Sequence, residues 1–200
     1  YLALLGWSPG DDKEFFSLQE MAEVFDVTRV NPNPARFDLK KCTAINADWI
    51  RAIAADDLAN RLIPFLQKDG YLPATVSQED KEMLLKAVPL VQERMDLLTQ
   101  GSHMLGFLFA GEHFVRDEAD VAAVFNEEAL AVLTGALDAL TDLSQWTTEA
   151  IEGALRAALI EGLGLKPKIA FTAVRVAVTG RRVSPPLFES IELLGRSATL

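Results

Sequence analysis

The sequence predicts an all-α protein, and three observations carry that expectation. Residues suited to helix N-caps recur just ahead of apolar residues at helical spacing. From Asp117 to Glu161 the chain is acidic and rich in alanine and leucine, which favours helices. Alternation of β-branched residues, the mark of a strand, shows only briefly from Val174 to Val178, where helical spacing competes with it.

The elements follow in order. Tyr1 to Trp7 reads as a buried helix ended by Gly6, and so apolar a start is expected to follow another domain. Ser17-Leu18-Gln19-Glu20 is a capping box and opens a short helix through about Val24. Asn31 to Pro34 is a loop, and Asp38 caps the next helix. Trp49, Ile50 and Ile53 continue the apolar pattern toward a further short helix. Asp56 or Asp57 caps another, with Leu58, Leu62, Phe65 and Leu66 facing inward and Pro64 expected to kink or split it. Gly70 to Pro73 is a candidate domain boundary. Ser77 to Asp80 is again a cap, for a helix running toward Leu98 with a break near Pro89. Gly101-Ser102-His103-Met104 has the look of a cloning scar but lies within continuing helical pattern, so it reads as part of the fold. Three helices are expected near 117–124, 127–140 and 147–162, with Trp146 between them.

Composition limits the function. Of 200 residues half are hydrophobic, enough for one large domain or two small ones. The single cysteine, Cys42, fits a reducing cytosol, so a cytoplasmic location is expected. Two histidines and one cysteine give no zinc-ligand spacing. Glu127-Glu128 and the acids around them read as solvated helix faces rather than as a metal or acid/base pair. No apolar run approaches the ~20 residues of a membrane span. Trp7, Trp49 and Trp146 read as core anchors.

The net charge is −10, but it is unevenly spread. From position 166 onward Lys166, Lys168, Arg175, Arg181, Arg182 and Arg196 face only Glu189 and Glu192. A basic end on an acidic body suggests a localised anionic partner. Pro167 suits a first helical turn, Ile169, Phe171, Val174 and Val178 form its apolar stripe, and Gly180 ends it. Ser184 is read as the N-cap of a second helix, with Pro185 at its first position and Leu187, Ile191 and Leu194 inward. Two helices would thus flank a basic loop.

Several words of this sequence, in order, resemble bacterial glutamyl-tRNA synthetase. Residues 1–8 (YLALLGWS), 16–20 (FSLQE), 25–30 (FDVTRV) and the pattern PARFD-LKK-x3-IN-x3-IR from position 34 resemble the region after its catalytic domain. Residues 89–94 (PLVQER), W-T-x2-A-I-E from Trp146, 175–180 (RVAVTG), 184–189 (SPPLFE) and 192–196 (ELLGR) look like its anticodon-binding region. The resemblance runs nearly end to end. It implies a helical stem-contact remnant over 1–65 and two helical anticodon-binding subdomains over 66–115 and 116–200. It implies a monomer that binds the tRNA for glutamate, preceded by a catalytic domain that this chain lacks. The HIGH-like and KMSKS-like motifs are missing, so the chain alone is expected not to activate glutamate, and the family's ATP and magnesium belong to the absent catalytic domain.

Carried over residue by residue, the resemblance nominates Arg175, Ser184, Pro185 and Leu187 for contacts to anticodon bases, with Arg94 as a further base contact. Arg175 can offer a planar fork of donors, and unstacked bases are read on their edges and against apolar walls. Lys168, Arg181 and Arg182 are expected to meet phosphates, which position RNA without reading it. The plain alternatives stay open: Ser184 as a helix cap only, Arg175 as solvated charge, Arg94 paired with Glu93 or Asp96. Arg29, Arg36, Lys40, Lys41 and Arg51 form a second basic patch, in which Arg36 is expected to brace its loop by pairing with Asp38 or Asp26. The reading from a different class is a helical protein-interaction domain with no RNA role.

Overall fold

The computed structural model describes residues 1–10, 13–33 and 35–200. Pro34, the end of the expected Asn31–Pro34 loop and the start of the PARFD pattern, lies outside the described residues. Among those described there are eleven α-helices and no strand. The β-branched run at 174–178 is helical because Ala170, Ala173 and Val174 share one buried face that a strand could not present.

Ahead of Asp38 the described residues form only one short α-helix and two 3-10 turns. Tyr1 to Trp7 forms a single 3-10 turn, Ala3–Leu5, instead of the expected buried helix, and of these residues only Trp7 is buried. The capping box forms as read: Ser17 Oγ accepts from the Glu20 N–H at 3.1 Å and Glu20 accepts from the Ser17 N–H at 2.7 Å, opening α1 (Leu18–Val24). Those bonds, with Lys13 beside them, pull the Glu20 carboxyl down to about 2. Asp38 caps α2 (Leu39–Ala52), which runs unbroken through the region where a second short helix was expected. Trp49 is no core anchor; it is 40% exposed and packs against Phe15, ring centres 4.4 Å apart.

Two hydrophobic cores follow. The first gathers Ile50 from α2, Leu58, Leu62 and Leu66 from α3 (Ala55–Lys68), Leu84 and Ala87 from α4 (Gln78–Ala87), and Met104 and Leu105 from α5 (Thr99–Leu105). Neither Asp56 nor Asp57 caps α3. Ala54 is its N-cap, and the two carboxylates lie in the first turn, where the helix dipole favours them. Pro64 sits inside α3 without splitting it, because Leu62 and Leu66 on either side are fixed in the core. Ser77 caps α4 as expected. The interruption after α4 is wider than one proline would make: two 3-10 turns, Val88–Leu90 and Gln92–Arg94, intervene before α5. Gly101 in α5 shows why the scar-like tetrapeptide belongs to the fold, since a Cβ there would lie 2.5 Å from Leu62 Cδ2. The line at 65/66 drawn from the resemblance falls within α3 and within this core.

The second core joins α7 (Glu127–Thr141), α8 (Thr148–Leu155), α9 (Pro167–Thr179) and α10 (Leu187–Leu194), with α6 (Glu118–Val124) against α9 and α11 (Arg196–Thr199) at the end. From Arg156 to Gly162 the α8 chain continues as a wider π-helical stretch, so the helix expected over 147–162 is present with a change of pitch. Trp146 joins this core and donates Nε1–H to the Ile191 carbonyl at 3.1 Å. The lobes meet where α10 crosses α4, with Leu193 packed on the first core, and where α9 touches residues 106–108.

Candidate nucleic-acid interface

The basic loop between α9 and α10 is built from both helix ends. Pro167 opens α9, as its fixed φ allows. The buried face of α9 is Ala170, Ala173, Val174 and Val176, rotated from the expected stripe, and Ile169 is 51% exposed. Small alanines let α9 lie close on α7, and that approach sets the rotation. At the other end Gly180 is left-handed, φ 78°, and its N–H reaches the Val176 carbonyl at 3.1 Å.

Ser184 is not a helix cap. α10 starts three residues later, with Pro186 at the cap position and no side-chain cap bond. The Ser184 hydroxyl is taken by a tertiary contact: Arg175 Nη1 donates to Ser184 Oγ and to the Pro185 carbonyl, both at 2.6 Å. The guanidinium therefore ties the loop to α9 from beneath. Ser184 is 6% exposed, Pro185 is buried, and Leu187, at 4%, belongs to the second core. None of these three side chains can form the apolar wall expected of Pro185 and Leu187, or offer the hydroxyl expected of Ser184. The exposed apolar side chain of the loop is Val183, at 78%. The sequence held a weak signal for it, one β-branched residue with no helical partners in a turn.

Arg175 itself is half-buried. Burial pulls its guanidinium below the ordinary value, the nearby Arg94 charge adds to that, and Glu189 opposes both. Its Nε and Nη2 donors have no protein acceptor among the described residues, and they are not among the buried unpartnered atoms, so they keep some access to solvent. Arg94 comes from the other lobe, is exposed, and makes no ion pair among the described residues. Its expected partner Glu93 pairs instead with Arg51 at 3.6 Å. Arg94, from the other lobe, thus lies near enough for its charge to act on Arg175, and Glu189 acts in the opposite sense. Such a place attracts an anion or a base edge rich in acceptors.

The remaining nominees lie apart. Arg182 is engaged: its backbone N–H and Nε bond the two oxygens of Asp120 at 2.8 and 2.5 Å. Lys168 is exposed on the rim of an open groove of ≈ 480 Å³ between α7 and α9, which Arg182 also borders. Arg181 is half-buried on a different cleft, at the seam of the lobes. The second basic patch is largely paired within the protein, Lys41 to Glu14 at 2.5 Å and Arg51 to Asp48 at 2.9 Å. Arg29 Nη1 donates to the Pro9 carbonyl at 2.8 Å. Among the described residues Arg36 makes no ion pair with Asp26 or Asp38; Asp26 instead accepts from Thr28 and Asp38 from the Lys41 N–H. Among the described residues no group of three or more acidic, histidine or cysteine side chains could hold a metal ion.

Asp120 was missed by sequence reasoning, since it reads as one more acid on an acidic helix. Its carboxyl lies below the usual carboxylate range, first because it accepts the Arg182 N–H and then because of the Arg182 side chain. A depressed carboxyl stabilises the fold above its unfolded value, and that contribution is lost as pH falls through the folded value. The Arg182 amide resonance is therefore expected to shift as acid is added, with a midpoint below the ordinary aspartate value of 3.8. A midpoint at or above the ordinary aspartate value would exclude the contact.

Residues 57–200 match the family described as anticodon binding domain. The chain is 55% identical over 200 residues to a glutamate–tRNA ligase of Kineococcus radiotolerans and 53% identical over 201 residues to one of Nocardioides sp., covering all of this chain and 40% and 41% of those proteins. It therefore spans about 40% of the length of the curated relatives it matches. Its fold is also that of part of a solved glutamate tRNA ligase from Elizabethkingia meningosepticum, with TM-score 0.78 at 24% identity over 99% of this chain and 38% of that one.

Proposed function

Because the chain belongs to the anticodon-binding domain family, we propose that it serves a glutamate–tRNA ligase by gripping the anticodon loop of glutamate's tRNA. The observation that carries this reading is the convergence of Arg175 and Arg94 from separate lobes, with solvent-accessible donors on Arg175 and no competing ion pair on Arg94. Arg175 offers the base contact, Arg94 a second one, and Val183 replaces the buried Pro185 and Leu187 as the apolar contact. Lys168 meets phosphate. Arg182 contributes to backbone positioning only through its loop, since Asp120 holds its side chain.

On this reading the ligase reaction, in which ATP activates glutamate for transfer to the tRNA, belongs to the part of the ligase outside these 200 residues. This chain carries neither a HIGH-like nor a KMSKS-like motif, so ATP and magnesium act there. The working unit is a cytoplasmic monomer, with a division into an N-terminal segment and two helical lobes.

Filter binding of glutamate's tRNA across a salt series tests the reading. Affinity should fall with rising salt, by about 0.7 in logarithmic slope for each phosphate neutralised on a single strand, and Lys168→Ala should lower the slope by about one phosphate. A chain that binds no tRNA at low salt is not an RNA-binding module, and a protein-interaction role would then take its place.

A further inference from the structure

At the seam of the two lobes lies a cleft of ≈ 490 Å³. That volume lies in the range of small-molecule sites, and such sites favour the seams between packed units. Its walls are held in place by close contacts. Tyr71 lies against the Gly106 backbone, where an added Cβ would come within 2.4 Å of the ring. Gly180 presses on the opposite edge, where a Cβ would meet the Val115 carbonyl at 3.1 Å and the Phe114 ring at 3.3 Å. Phe109 completes an aromatic lining that is half-buried, so ring faces remain available.

Several polar groups on this cleft keep unused bonding capacity, although the Thr179 hydroxyl is taken up by the Arg175 and Arg181 carbonyls. Arg181 makes no ion pair among the described residues, although its charge reaches Asp120, whose oxygens Arg182 occupies. His103 and His113 are exposed at the rim, and neither ring has a hydrogen-bond partner among the described residues. Asp69 also lines the cleft. One of its oxygens accepts from the Ser102 hydroxyl and the other has no protein donor among the described residues. The cleft therefore combines a cation, two imidazoles, aromatic walls and one carboxylate oxygen.

We propose that this cleft binds a single ribonucleotide unit. Arg181 and the histidines face its phosphate, the aromatic side chains its base, and Asp69 an amino group on the base edge. An isolated anion would leave the aromatic walls without a partner, and a purely apolar ligand would strand Arg181. Residues from both lobes line the cleft, so the nucleotide would bridge them. It could be free in solution or part of an RNA strand, and the chemistry is shared.

Amide spectra of the isotopically labelled full chain separate these sources. Titrated with adenosine 5′-monophosphate, the amides of Tyr71, His103 and Arg181 should shift saturably, and Arg181→Ala or His103→Ala should weaken that binding about tenfold. Arg94→Ala, at an exposed residue that neither lines the cleft nor ties the loop, should leave it unchanged, which keeps the test independent of the anticodon reading. If only glutamate's tRNA shifts these amides, and Arg181→Ala abolishes the shifts, the nucleotide is one of the RNA strand. The proposal fails if neither probe shifts them, if inorganic phosphate or adenosine alone binds as tightly as the nucleotide, or if Arg181→Ala changes nothing.

Discussion

Arg175→Ala is expected to weaken the binding of glutamate's tRNA by about ten- to a hundredfold, from the loss of charge-assisted hydrogen bonds at about 1.5–3 kcal/mol each. Two effects combine in that number. The donors with access to solvent, Nε and Nη2, are lost to the RNA. The bonds to Ser184 Oγ and the Pro185 carbonyl are lost to the loop, so Val183 and its neighbours are no longer held in place. Arg175→Lys separates the two. A lysine ammonium can reach one of the loop acceptors and keeps the charge, but it cannot also present a planar fork outward. The lysine variant should therefore keep most of the wild-type unfolding stability and still bind the tRNA markedly less well. If lysine restores full affinity, charge alone acts at this position and edge recognition by the guanidinium is excluded.

The largest effect on stability is expected from Leu62→Ala. Leu62 is wholly buried in the first core, and truncation of such a leucine costs about 2–5 kcal/mol, depending on how far the site collapses. Here collapse is opposed by Gly101, chosen where α5 lies so close on α3 that a Cβ would overlap Leu62 Cδ2 and come within 3.1 Å of Met95 Sδ. Gly101→Ala alone should overpack the same contact and destabilise by about 1–3 kcal/mol. In the double variant the new methyl enters the space that Leu62 vacates, so the two losses should sum to more than the loss measured for both together. Urea unfolding of the four proteins reads this directly. Strict additivity would show that the close approach of α3 and α5 is not the cause.

Local signals were the legible part of this fold. Ser17, Asp38 and Ser77 cap the helices they were expected to cap, and Gly180 takes the left-handed turn that ends α9. Each depends on residues within four positions of one another. Several of the failures have the opposite property. Ser184 followed by two prolines offers two plausible helix starts, and its hydroxyl is claimed by Arg175 from nine residues away. Lys41 finds Glu14 across 27 positions, and Asp120 finds Arg182 across 62. Trp49 points outward because α2 buries Ile45, Ala47 and Ile50 instead, a rotation that helical spacing alone leaves undetermined.

The candidate interface divides in the same way. The resemblance pointed to one loop and one arginine, because both lie in contiguous words of sequence, and the structure shows Arg175 bonded to that loop. It could not show that Pro185 and Leu187 face inward, since a proline and a leucine at a helix start serve a core or a base equally well. The neighbourhood of Arg94 and Arg175 was beyond reach of spacing arguments: they stand 81 positions apart in chain order, on different lobes.

Specific reading of the anticodon by the Arg175 neighbourhood is the central claim, and one comparison bears on it most directly. Native glutamate tRNA and the same tRNA with its anticodon bases substituted are bound to the wild-type chain and to Arg175→Ala at one fixed salt concentration. The wild-type chain should prefer the native tRNA by about tenfold or more, since a mismatched base contact costs about 1–3 kcal/mol, and the preference should vanish in the variant. Equal binding of both tRNAs by the wild-type chain, or an undiminished preference in Arg175→Ala, would contradict it.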